Sequence, residues 1–265
     1  MDKQAILKEL NDALSKTGAN EGDIQSVLEA HPELIPLPHL LNHRHHFNLM
    51  LKKFCLPNGQ STDFAYLTKS TVEWWVVLVE IEGSNKKIFT TRGNNNPVFS
   101  AEFNNAYDQI TTWKAYVEDN KDAVKKSLMP LLIHMHENTI KFKYVLIIGR
   151  NSEISTQQQK NLFNQKNTGE IRVMTYDSLI NSYDLDGLTP KIIATNTVNG
   201  LRIDNWNGCE SAIFGYLKRG ELFFDETIKN ELIAQGYNIE AWENGELLQL
   251  NLKQPASIPS KFIGS

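Results

Sequence analysis

Three acidic side chains stand at strand-like termini: Asp63 opens "DFAYLT", and Glu80 and Glu82 close "VVLVEIEG". Inside a fold, a carboxylate costs several kcal/mol unless it is paired or holds a metal. On a strand, residues two apart share a face, so Glu80 and Glu82 project together. If the run opened by Asp63 lies beside that strand, three carboxylates converge. A divalent cation keeps converging carboxylates ionised, and an all-oxygen donor set suits magnesium. Magnesium in such a pocket activates water and neutralises charge on a phosphate. Taken as local sequence only, the same acids also fit a turn residue and a solvated strand end.

Other residues bear on that chemistry. Gln109 sits on or near the apolar face of an amphipathic stretch, where a buried amide needs a partner. A water or phosphate at the acidic pocket would serve. Arg150 closes "VLIIGR" and reads as an ordinary strand end or as a phosphate contact. The lysine pairs 52–53, 86–87 and 125–126 form either a basic rim around the pocket or solvated faces. "HLLNHRHHF" gathers His39, His43, His45 and His46. On a helix, His39 and His43 are one turn apart, and on a strand His43 and His45 share a face. With no acid or Cys at zinc-site spacing nearby, the cluster reads as a surface or interface feature, or as a phosphate contact when protonated. "HMH" at 134–136 carries no spacing of its own. Trp74 and Trp75 alternate, one toward the core and one under a helix or a partner subunit.

The elements that must position these residues can be traced by periodicity. Ile6, Leu7, Leu10 and Leu14 define a first helix, broken by "TGANEG". Ile24, Val27 and Leu28 define a second, stopped by "HPELIPLPH". Phe47–Leu56 and Asp63–Thr68 are β-prone around the turn "PNGQS". A strand follows over Val72–Ile81, then a polar loop. Phe103, Tyr107, Ile110, Trp113 and Val117 mark a long helix over Ser100–Val117, with a shorter helical stretch near 121–138. "FKYVLIIGR" is apolar on both faces, as a central or parallel strand must be. A helix, the strand "IRVMTY" and a short helix complete an α/β domain with a mixed sheet. From about Leu188 the texture changes to an extension with its own small strands and a helix.

Composition is that of an ordinary globular chain: 265 residues, 41% hydrophobic, 22% charged and net charge −4. Weak acidity argues against a wholly basic nucleic-acid binder while leaving room for a local basic groove. Cys55 and Cys209 are far apart and in no metal spacing, which suits a reducing compartment and a cytoplasmic protein. No apolar run is long enough to cross a bilayer.

Six segments in order, "NEGDIQSVLEAHPELI", "STDFAYLT", "WWVVLVEIEG", "AYDQITTWKAYV", "YVLIIGR" and "MTYDSLI", resemble the nuclease domain of Shedu-type anti-phage defence proteins, within the PD-(D/E)XK superfamily. The resemblance covers about residues 20–182. It implies a restriction-endonuclease-like mixed sheet flanked by helices over 20–187, preceded by an N-terminal helix in 1–19 and followed by a small α+β extension over 188–265. It implies cleavage of DNA with magnesium, for which manganese can substitute, and assembly as a homo-oligomer, dimer or tetramer. Asp63 and Glu80 match the two metal-ligating acids. Gln109 and Trp113 match the Gln and aromatic positions of the following helix. Glu21, with Gln25, matches the helical acid, which would touch a second metal or support the first. Glu82 stands where the pattern has its lysine. It would then be a further ligand or a general base, with Lys86 and Lys87 supplying positive charge from the loop. The alternative is a domain that has lost cleavage and only binds nucleic acid or regulates.

Overall fold

Apolar runs that alternate with amphipathic stretches fold as a sheet covered by helices. The computed structural model of the chain describes residues 3–16, 21–92, 96–132, 137–186, 191–250 and 253–255. In chain order these form α1 (Lys3–Ser15), α2 (Glu21–Ala30), β1 (His45–Lys52), β2 (Phe64–Lys69) and β3 (Glu73–Ile81). Next come β4 (Phe89–Arg92), β5 (Asn96–Phe99), α3 (Ala101–Asp119), α4 (Lys121–Ser127), β6 (Thr139–Ile147), α5 (Gln157–Gln165), β7 (Ile171–Met174) and α6 (Tyr176–Asp186). The last are β8 (Ile192–Thr197), β9 (Gly200–Asn205), β10 (Leu222–Phe223), α7 (Glu226–Ala234), α8 (Ile239–Glu243), β11 (Leu248–Leu250) and β12 (Gln254–Pro255).

Eight strands form one mixed sheet in the order β10-β9-β8-β1-β2-β3-β6-β7. β1, β2 and β3 are antiparallel neighbours, while β6 runs parallel to β3 and β7 to β6. The expected mixed α/β architecture is therefore present, with "FKYVLIIGR" in a parallel interior strand. Strict alternation splits β3 between two apolar layers. Trp74, Val76 and Leu78 enter the cluster on the α3 face, and Val77, Val79 and Ile81 enter the cluster shared with α1, α2 and α6. On β2, Ala65 and Leu67 face α3 while Phe64 and Tyr66 face the opposite layer. Trp74 is fully buried and Trp75 half-buried, as alternation requires.

Ser100 fixes the start of α3. Its hydroxyl accepts from the Phe103 N–H at 3.0 Å and donates to the Lys87 carbonyl oxygen. One side chain thus caps the helix and ties it to the loop after β3. Ser100→Ala is expected to lower stability by about 1–2 kcal/mol, read as a lower urea midpoint at unchanged slope.

Several local expectations are revised. The polar loop after β3 contains the hairpin β4–β5, whose strands are short and mostly exposed, so no alternating pattern announced it. Phe89, Phe99 and Phe103 stack at 4.9 and 4.4 Å and pin this hairpin to α3. α4 stops at Ser127 and continues only as a short turn over Met129–Leu131, with Pro130 inside it. The segment carrying His39 and His43 is not helical. "HMH" lies outside the described residues. The expected extension does carry both strands and helices, but β8, β9 and β10 join the main sheet rather than forming a sheet of their own. β8 pairs in parallel with β1, from Leu49 opposite Ile192 to Lys52 opposite Thr195. Of the described strands of the extension, β11 and β12 pair with each other apart from that sheet. Among the described residues, no helix is long and apolar enough to cross a membrane.

Candidate functional site

Register decides what meets at the strand ends. Phe64 pairs with Val79, so the next pair outward sets Asp63 opposite Glu80. Lys52 pairs with Phe64, so the next pair sets Lys53 beside Asp63, and the Lys53 N–H donates to the Asp63 carbonyl at 2.8 Å. Asp63 shares the parity of Ala65 and Leu67, and Glu80 that of Val76 and Leu78. Both therefore lie on the α3 face.

The side chains follow. Asp63 is buried; its Oδ1 accepts from Lys53 Nζ at 2.6 Å and its Oδ2 from the Ile81 N–H at 2.9 Å. Glu80 is also buried, and its Oε1 accepts from Gln109 Nε2 at 2.5 Å. Its Oε2 is buried without a hydrogen-bond partner among the described residues. Burial, then the charge of Asp63 and the hydrogen bond that a protonated Glu80 makes to it, then the charges of Glu21 and Glu82, raise the Glu80 carboxyl far above the carboxylate range. Glu21, the first residue of α2, is raised by burial and by Asp63 and Glu82. Glu82, just past the end of β3, is raised by burial and by Asp63, against the opposing charge of Lys86. Four carboxylates from three separate segments thus share one electrostatic neighbourhood. The phenol of buried Tyr176 donates to the Glu82 carbonyl at 2.7 Å and anchors that loop to α6. Gly149 lies against the same loop with φ +63°, where a Cβ would sit 2.9 Å from the Lys86 carbonyl oxygen.

The candidate cations divide among different partners. Lys86 stands 3.8 Å from Glu82. Lys87 is exposed, with its N–H held by Glu102 at 2.9 Å. Arg150 forms a two-pronged pair with Asp177, at 2.8 and 3.0 Å, so its guanidinium is engaged at the start of α6. Lys53, treated in sequence as half of a rim pair, is found on the candidate ligand Asp63. Its signal in the sequence was weak because only the β1–β2 register brings it there. Burial holds His45 and His46 neutral, with pKa values lowered to about 3, and His39 is lowered to about 4.

Whether these residues fit a magnesium ion can be tested on the donor set. Among the described residues, no group of three or more His, Cys, Asp or Glu side chains is placed to hold a metal. Magnesium, however, is usually held by one or two carboxylates and keeps several waters. Asp63 opposite Glu80, with Oε2 lacking a protein partner, fits a two-carboxylate site of that kind. Each Asp63 oxygen also keeps a second lone pair beyond its one hydrogen bond. A cavity of about 970 Å³ lies elsewhere, lined by Ile35, His39, Arg172 and Lys191 among others, and none of the four acids lines it.

No curated protein matches the chain. The family model described as "Shedu protein SduA, C-terminal" matches residues 18–180, a span that takes in α2, β1 to β7 and every acid of the site. A match over more than half of the chain establishes that it belongs to the Shedu SduA C-terminal family, whose domain implies a role in anti-phage defence.

Proposed function

We propose that the chain is a magnesium-dependent endonuclease that cleaves DNA phosphodiester bonds in this defence role. The observation that carries the reading is Asp63 set opposite Glu80 at a strand end, with one buried Glu80 oxygen lacking a partner. A chain gains nothing structurally by gathering Glu21, Asp63, Glu80 and Glu82, because burial and mutual repulsion disfavour their charge. Function is the physical reason that best accounts for such a cluster.

Asp63 and Glu80 would hold the metal. When bound, magnesium would supply a Lewis acid for the phosphate and a more acidic water. Gln109 fixes the Glu80 carboxylate so that its other oxygen stays available. Glu82 would accept a proton from an incoming water, and its raised pKa would bring it nearer to neutral pH for that task. Glu21, which feels the charges of Asp63 and Glu82, would support a second cation.

A plasmid-cleavage assay is the test. Nicked or linear product is expected with magnesium or manganese and should vanish on chelation. One observation favours a second reading: Glu82 occupies the motif position of a lysine. Retention of DNA without any metal-dependent product would leave a binding or regulatory module on the same fold.

A further inference from the structure

We propose that Lys53, at the end of β1, supplies the cation that the motif lacks at position 82, holding Asp63 before substrate arrives and meeting the cleaved phosphate when DNA binds. This rests on the nuclease reading above.

Three observations converge on Lys53. First, β1, β2 and β3 are adjacent, so Lys53, Asp63 and Glu80 lie side by side across three strand ends. Lys53 Nζ is 2.6 Å from Asp63 Oδ1, and the charges of Glu21 and Glu80 also reach it. Second, Lys53 has φ +46°, a left-handed conformation that non-glycine residues seldom adopt. Such conformations persist where the surroundings over-determine them, and they cluster at functional sites. The neighbouring Lys52 is committed elsewhere, 3.0 Å from Glu29 and 3.7 Å from Asp204. The two lysines thus part ways at the strand end. Third, the Lys53 side chain is 48% exposed while its Asp63 partner is 5% exposed. The ammonium can therefore reach a phosphate arriving from solvent, whereas the carboxylate stays in place.

In hydrolysis, the water oxygen bonds to phosphorus and the bond to the leaving oxygen breaks. One water proton passes to Glu82 and from there to solvent, and the leaving oxygen takes one from solvent. Lys53 stays protonated throughout and neutralises charge on the non-bridging oxygens, the task of a preorganised cation. A lysine reaching in from the end of β1 leaves position 82, just past β3, open to an acid. The presence of Glu82 then no longer argues against cleavage.

The experiment compares wild type, Lys53→Met, Lys53→Arg and the double variant Lys53→Met/Glu82→Lys. Single-turnover plasmid cleavage in magnesium is measured, with DNA affinity in calcium and the magnesium-induced rise in melting temperature as separate readouts. Lys53→Met is expected to cleave about a hundredfold more slowly. Its DNA affinity should change only slightly and its magnesium-induced rise should persist. Lys53→Arg should recover part of the rate, and restoring a lysine at position 82 should recover part of it in the double variant. Wild-type cleavage with an equally active Lys53→Met would overturn the assignment of Lys53 alone. So would a loss of rate explained by weaker DNA binding. A wild type that makes no metal-dependent product would overturn the nuclease reading, and this role with it.

Discussion

Glu80→Gln is expected to remove magnesium-dependent cleavage and, without metal, to make the protein more stable. The two effects share one cause. Glu80 is buried, one of its oxygens has no partner, and Asp63, Glu21 and Glu82 surround it with like charge. A neutral amide of the same shape keeps an oxygen to accept from Gln109 and removes the proton uptake that burial and the neighbouring charges impose on Glu80 when no metal is bound. Loss of the carboxylate should slow cleavage by at least about a hundredfold, the scale of losing one preorganised charge-stabilising group. Urea unfolding in chelator should show a gain of about 1 kcal/mol, on the scale of relieving one poorly satisfied buried polar group. Strain held at an active site and released by substitution is the usual form of the stability–activity trade-off. A Glu80→Gln protein that still cleaves at the wild-type rate would remove Glu80 from the site. One that cleaves nothing and is less stable would point to a structural role instead.

The second large effect lies in the histidines of β1. Acidification is expected to destabilise the fold through His45 and His46. Burial is the main cause of their lowered pKa values, about 3 each; Lys191 acts in the same direction on His45 and Lys69 on His46. The neutral rings stay in place through Nε2, 2.7 Å from the Leu49 carbonyl and 3.1 Å from that of Leu131. The unfolded chain binds protons near the ordinary value of 6.5, whereas the folded one does not. Their stability contribution is therefore complete above that pH and is lost as pH falls toward 3. At about pH 5 each histidine should remove about 2 kcal/mol. The raised carboxylates of Glu21, Glu80 and Glu82 work in the opposite sense, so the comparison must be between variants. Urea midpoints from about pH 7 to 5 should fall more steeply for wild type than for His45→Gln/His46→Gln, by about 4 kcal/mol over the range. Parallel slopes would show that these rings are protonated in the folded state.

Parts of this structure were legible before any coordinates because their signals are local. The apolar run from Val76 ends in Glu80 and Glu82, and its unbroken apolar character marked it as a buried strand with acids at its end. Phe103, Ile110, Trp113 and Val117 recur at helical spacing and are all buried on α3. Asp63 after a turn and Glu80 at a strand end needed only adjacency to become a pair. Other parts had no local signal. In the hairpin β4–β5, what holds its strands is the stacking of Phe89 and Phe99 on Phe103, a contact between segments. β8 and β1 pair across roughly 140 residues of chain, and a periodic pattern names a face but never a neighbour.

The same distinction divides the candidate site. The amino-acid sequence by itself determined which side chains face which layer, because alternation along a strand is built into the backbone. It thereby named Asp63, Glu80 and Gln109 as candidates for a shared chemistry, and the β2–β3 register brought the two acids together. Only the tertiary structure decided that Lys53 meets Asp63, that Arg150 is taken by Asp177 and that Lys86 stands by Glu82. Those pairings depend on strand register and on the packing of α6 against the sheet, which are set by contacts far apart in the chain. A lysine at a strand end looks the same in sequence whether it faces water or a buried carboxylate. Here the neighbouring strand made the difference.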